Sequence, residues 1–216
     1  MAMEQYTTLA RKGEGEYVEK RSRFIGVAAP VSTPEEAAAL VSEVKAKYYD
    51  ARHHCYAYRL RNGVQRYADD GEPQGTAGLP ILDILERRDL TDCIIIVTRY
   101  FGGTLLGTGG LVRSYSAAGN AALDNAALLV MQPYIKGSFS CQYNQQGRLQ
   151  PLVEQFDGLM QQIEYSHQVD FSFLLPVASR EEFAAQLIEK SYGEVTPVFG
   201  ETIYGGAAEG QWFSAE

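Results

Sequence analysis

The apolar positions change period several times along the 216 residues. "EYVEKRSRFIGVAA" (16–29) is extended in character and closes on an apolar run before Pro30. "STPEEAAALVSEVKAKYY" then carries helix-start signals: Thr33 as N-cap, Pro34 at the first helical position and acids in the first turn. Its Ala37, Leu40, Val41 and Val44 keep helical spacing. "HCYAYRLR" alternates and is rich in aromatics, which predicts a strand, and Asn62-Gly63 predicts a hairpin turn into "VQRYA". The loop "DDGEPQGTAGLP" leads to a short helix, "ILDILERRD". "CIIIVTRY" is apolar on both faces and predicts a buried central strand. A glycine-rich stretch follows, and then a long helix, "GLVRSYSAAGNAALDNAALLV". Its small-residue face (Ala117, Ala118, Ala121, Ala122) suits close contact with a sheet.

The pattern restarts after Pro133, which places a boundary between residues 1–131 and 132–216. Beyond it, "YIKGSFSCQY", "GRLQPLVEQF", "LMQQIEYSHQ", "VDFSFLLPV", "SREEFAAQLIEKSY" and "EVTPVFGETI" read βαββαβ, the order of a ferredoxin-like unit. Ser179 and Glu182 have capping-box spacing for its second helix. The tail "YGGAAEGQWFSAE" is expected to be mobile unless Trp212 and Phe213 hold it down. The fold class expected is α+β, in two domains.

Charge sharpens that division. The formal net charge is −8; residues 1–131 carry 15 Lys/Arg against 16 Asp/Glu, whereas residues 132–216 carry 4 against 11. The second part is an acidic, solvated body, and any attraction to nucleic acid needs a confined basic patch on the first. The three cysteines, Cys55, Cys93 and Cys141, lack metal-site or disulfide-framework spacing and read as reduced thiols. With no apolar run long enough for a membrane span and no apolar leader segment near the N-terminus, the expected setting is cytoplasmic, away from membranes.

The candidate chemistry gathers in "RYFGGTLLGTGGLVRSYS". Gly102, Gly103, Gly107, Gly109 and Gly110 lie between the predicted buried strand and the long helix. Bare amides in a first helical turn carry partial positive charge, and glycine lets another group approach closely. Arg99 and Arg113 flank the stretch as guanidinium donors, with Tyr100 and Tyr115 as aromatics able to stack on bases. Neither the P-loop nor the dinucleotide glycine spacing is present. A bound anion and tight helix–sheet packing both account for the glycines.

A second candidate cluster combines Asp69, Asp70 and Glu72 with His53. The acids lack the later ligands of a calcium loop. An Asx-type turn and a magnesium site completed by a phosphate are both open. His53 and Cys55 share a strand face, but no third residue is assignable to orient them as base and nucleophile.

Taken together, "DARHHCYAYRL", "DDGEPQGTAGLPILDIL" and "VTRYFGGTLLGTGGLVRSY", in that order, resemble the bacterial, YigZ-like branch of the IMPACT family. The resemblance implies a first domain with a ribosomal-protein-S5-domain-2-like fold, a mixed sheet covered by helices. It implies a ferredoxin-like second domain similar to the last domain of elongation factor G. It also implies a role beside translation, since the eukaryotic members regulate translation under amino-acid starvation. The function expected is therefore non-enzymatic binding of RNA, the ribosome or a translation-associated protein, without DNA specificity, cofactor or resident metal. The alternative is a magnesium-dependent enzyme acting on a small phosphorylated or otherwise anionic ligand. An adaptor using its acidic second domain is a third reading.

Overall fold

A computed structural model describes residues 5–214. The chain separates into two compact units, one spanning Tyr6–Leu129 and one running on from Val130.

The first unit contains β1 (Tyr6–Leu9), β2 (Gly13–Glu19), β3 (Ser22–Pro30), α1 (Pro34–Lys47), β4 (His53–Arg59), β5 (Gln65–Ala68), α2 (Gly78–Arg87), β6 (Cys93–Tyr100) and α3 (Gly107–Asp124). Its sheet has the order β2-β3-β6-β4-β5. Every neighbouring pair is antiparallel, so the sheet is not the mixed one implied by the resemblance. An isolated parallel bridge joins Thr7 and Leu90.

β6 is central and buried along all but its last residue. Its side chains divide between the faces with strand periodicity. Ile94 and Ile96 pack with Ala37 and Val44 of α1. Cys93, Ile95 and Val97 pack on the other face with α2 and α3. The unit thus has three layers, with helices on both faces of the sheet.

The small-residue face of α3 touches the sheet as expected, and the strand side is equally bare. A Cβ on Gly26 would lie 2.3 Å from the Ala118 carbonyl oxygen, so only glycine permits this approach. α3 stops at Asp124, short of the reach expected for it. Asn125 closes it by donating to the Ala121 carbonyl, and the apolar run from Leu128 joins a strand. The segment 16–29 is likewise not one extended piece. Lys20 and Arg21, at φ 46° and 66°, turn it into the β2–β3 hairpin.

The second unit is built on β7 (Leu128–Cys141), whose first residues belong to the first unit, with α4 (Tyr143–Leu149), α5 (Pro151–Gln155), β8 (Leu159–Tyr165), β9 (Val169–Pro176), α6 (Arg180–Lys190), β10 (Val198–Ala208) and β11 (Gln211–Ser214). The order β10-β7-β9-β8 is that of a ferredoxin-like sheet. Phe139, Phe171, Phe173 and Phe183 centre its core. Pro133 is not in a linker. It sits inside β7, where pairing with β9 has not yet begun; that pairing starts at Tyr134. Ser179 does not cap α6, because a preceding 3-10 turn already gives it helical backbone (φ −88°, ψ −5°). The tail is pinned. Glu209 and Gly210 turn it back, β11 pairs with β10, and Trp212 packs edge-on against Tyr134.

Candidate nucleic-acid interface

The two candidate clusters meet at one end of the first unit's sheet. His53 and Arg99 are direct cross-strand partners on β4 and β6. Arg99 is buried, and its Nη1 donates to Glu72 Oε1 at 2.7 Å. Tyr115 donates to the same oxygen at 2.8 Å. Arg99 therefore holds an internal carboxylate instead of reaching outward as a free donor. Its guanidinium lies over the rings of Phe24 and Phe101, 5.4 and 5.5 Å from their centroids. Its Nε is buried without a hydrogen-bond partner.

Tyr115 is closed to solvent and cannot stack on an external base. It shares the sheet-facing side of α3 with Leu111, Ala118 and Ala122, and meets Phe24 edge-on at 5.1 Å. Burial pushes its phenol up. Tyr100 is half-buried and donates to Asp50 at 2.6 Å. That hydrogen bond, with burial, pushes its phenol up to about 12.

The acidic loop is engaged by the protein itself. Asp69 accepts the Gly75, Ala77 and Gly78 amides, capping the start of α2. Asp70 accepts the His54 amide and pairs with Lys45. Glu72 holds Arg99. His53 and Cys55 bond separately, the imidazole Nδ1 to the Asp70 carbonyl at 2.9 Å and the thiol to the Asp69 carbonyl at 3.0 Å. Burial raises the Cys55 thiol, the opposite of what an activated nucleophile needs.

The glycines have distinct jobs. Gly102 donates its amide to Ser22 Oγ at 3.0 Å, and a Cβ there would come within 2.1 Å of the Arg21 backbone. The Lys20-Arg21 turn is thereby seated directly against the glycine loop. Gly103 and Gly107 have φ of 81° and 70° and bend the chain into α3. No side chain caps that helix. Gly110 is buried against Leu106, whereas Gly109 faces solvent. The exposed Arg113 reaches back over it, with Nη1 3.4 Å from where a Gly109 Cβ would stand.

A cleft of about 410 Å³ opens beside Arg99, lined by Asp50, Ala51, Arg52, His53, Arg99, Tyr100 and Phe101. Around it the charge is uneven. Most cations of this unit sit in ion pairs, among them Arg23 with Glu16 and Lys47 with Glu14. Among the described residues of the unit, Lys20, Arg21, Arg52, Arg66 and Arg113 are exposed and have no such partner. All but Arg66 belong to the segments that border the glycine loop. Phe101 (57% exposed) and Leu105 (83%) project beside them. Lys20, Arg21, Arg52 and Phe101 were not among the residues singled out from the sequence. The signal was a charged pair, Lys20-Arg21, interrupting an extended stretch.

A basic, aromatic-bearing loop face on a helix-covered antiparallel sheet, joined to a ferredoxin-like unit, defines a two-part α+β protein. Residues 20–123 match the model of the Impact N-terminal domain, and residues 139–194 that of a domain of unknown function, DUF1949. The chain belongs to the IMPACT family. It is 33% identical to the Bacillus subtilis (strain 168) IMPACT family member YvyE, over 94% of both chains. It is 38% identical to the Escherichia coli (strain K12) member YigZ, over 82% of this chain and 88% of that one. With Xenopus laevis Protein IMPACT it shares 31% identity over half of its own length and 36% of the frog protein's. A crystal structure described as that of a hypothetical protein superposes with a TM-score of 0.58, at 35% identity over 92% of this chain and 98% of the other. No helix among the described residues is long and apolar enough to cross a membrane.

Proposed function

We propose that the protein is a non-enzymatic, translation-associated regulator of the cytoplasm. It binds RNA, free or within the ribosome, through the glycine-rich face of residues 1–131, while residues 132–216 form a separate acidic part. The observation that carries this reading is the segregation of unpaired cations. In a chain of net charge −8, Lys20, Arg21, Arg52 and Arg113 border one loop and lack carboxylate partners. Of the neighbouring acids, Glu16 pairs with Arg23 and Glu72 with Arg99, while Asp50 accepts from the Tyr100 hydroxyl and Glu19 from that of Tyr17. Exposed guanidinium and ammonium groups beside an exposed ring are what a phosphate-bearing strand with unpaired bases requires. The uncapped start of α3, with Gly107, Gly109 and Arg113, adds amide donors of the same polarity. The translation setting rests on the family resemblance.

Co-sedimentation with bacterial ribosomes on sucrose gradients tests the reading. The protein is expected to travel with ribosomal particles at low salt and to leave them as salt rises. Arg21→Glu with Arg113→Glu, both exposed, should move it to the top of the gradient. If the unaltered protein stays at the top at every salt concentration and binds no extracted ribosomal RNA, the proposal fails.

A further inference from the structure

The cleft beside Arg99 has features that general attraction to phosphates does not demand. Its cavity of about 410 Å³ falls within the range of small-ligand pockets. Arg99, one of its walls, is 6% exposed and keeps an Nε with no partner. A buried guanidinium N–H left unbonded is uncommon and marks this wall as a place where the protein's own polar groups are not all satisfied. Phe101 forms another wall. Arg99 lies over its ring, yet the residue remains 57% exposed, so ring surface is left for a second planar group. His53 supplies a third feature. The Asp70 carbonyl can only accept, so in the neutral ring Nδ1 carries the hydrogen and Nε2 keeps a lone pair. Arg52, exposed and unpaired, stands at the rim.

We infer that this cleft seats one unpaired ribonucleotide of a bound strand, its base on Phe101, its phosphate at Arg52, and its 2′-hydroxyl donating to His53 Nε2. This rests on the proposed RNA binding and adds to it a preference for single strands over duplex and for RNA over DNA. A hydroxyl donated to an imidazole acceptor distinguishes the two sugars directly, and stacking on one ring is open only to a base free of its partner. Arg21 and Arg113 do not line the cleft and serve only the general attraction.

The test is fluorescence anisotropy with a labelled eight-nucleotide oligoribonucleotide, the matching oligodeoxyribonucleotide, and the RNA annealed to its complement. Single-stranded RNA should bind most tightly. Phe101→Leu, which keeps an apolar cover on Arg99 but removes the π face, should weaken single-strand binding about tenfold. His53→Ala should weaken RNA binding about fivefold more than DNA binding, narrowing the ratio between them. Arg21→Ala with Arg113→Ala should weaken RNA and DNA alike and leave that ratio intact. Melting curves establish that each variant is folded. If the arginine variant weakens binding while Phe101→Leu and His53→Ala do not, this inference is wrong and the general proposal stands. Duplex binding as tight as single-strand binding overturns it equally. If no nucleic acid binds, both fall.

Discussion

Replacing Glu72 with alanine removes the partner of a charge that has nowhere else to go. The side chains of Arg99 and Glu72 are only 7% and 4% exposed, so solvent screens neither. Loss of one member of a buried pair costs about 3–5 kcal/mol, because the remaining ion keeps its desolvation penalty without its compensation. The Tyr115 hydroxyl loses its acceptor at the same time. At about 2–4 °C per kcal/mol for a chain of this size, melting should fall by roughly 10 °C. Glu72→Gln keeps an acceptor for both donors and should cost about half as much. Arg99→Met with Glu72→Leu, which discards both charges, should recover most of the loss, as apolar replacements of buried pairs do. Differential scanning calorimetry measures the change. Hydrogen exchange over Cys93–Tyr100 reports on the first unit alone, since β6 is its central strand. The reasoning is refuted if Glu72→Ala melts within about 3 °C of the unaltered protein, roughly 1 kcal/mol. It is refuted equally if the double variant is no better than the single one.

Three further outcomes are expected. Gly26→Ala would place its Cβ 2.3 Å from a backbone oxygen of α3, and should destabilise by about 3 kcal/mol, the upper end for overpacking, as read from urea unfolding. His54 is buried against Thr98, and burial holds its pKa below the usual value. The unfolded chain therefore takes up the proton first, so stability should fall as pH drops below about 6.5, by at most about 1.4 kcal/mol per pH unit from this group. In His54→Gln the same titration of stability should be flatter. The thiols of Cys55, Cys93 and Cys141 are all buried and raised by that burial, Cys93 to about 12. An aromatic disulfide reagent should therefore release almost no thiolate from the native protein and three equivalents in urea.

The parts of the fold legible in the sequence were those with unbroken local signals. The β-branched run of β6, the Thr33-Pro34 helix start and the Asn62-Gly63 turn each state their conformation within a few residues. The β2–β3 hairpin was missed because its turn is made by Lys20 and Arg21 at positive φ, without the glycine or asparagine that usually marks one. The end of α3 was misplaced because a four-residue apolar run, Leu128–Met131, fits either period. At the site, the burial of Tyr115 was readable, since its spacing from Leu111, Ala118 and Ala122 puts it on the face already assigned to the sheet. The Arg99–Glu72 pair was not readable. Its members are 27 residues apart and meet only through the sheet order and the loop leading into α2. From sequence alone Arg99 reads as a free donor, and nothing local distinguishes Lys20, Arg21 and Arg52 from the cations that sit in ion pairs.

The salt dependence of binding to single-stranded RNA bears most directly on the interface. With Lys20, Arg21, Arg52 and Arg113 each neutralising one phosphate, the logarithm of the binding constant should fall against the logarithm of salt with a slope of about −2.8, at about 0.7 per contact. Changing Arg21, Arg52 and Arg113 together to alanine should flatten it to about −0.7. A slope near zero in the unaltered protein, or one that the triple variant leaves unchanged, would contradict the assignment of this face.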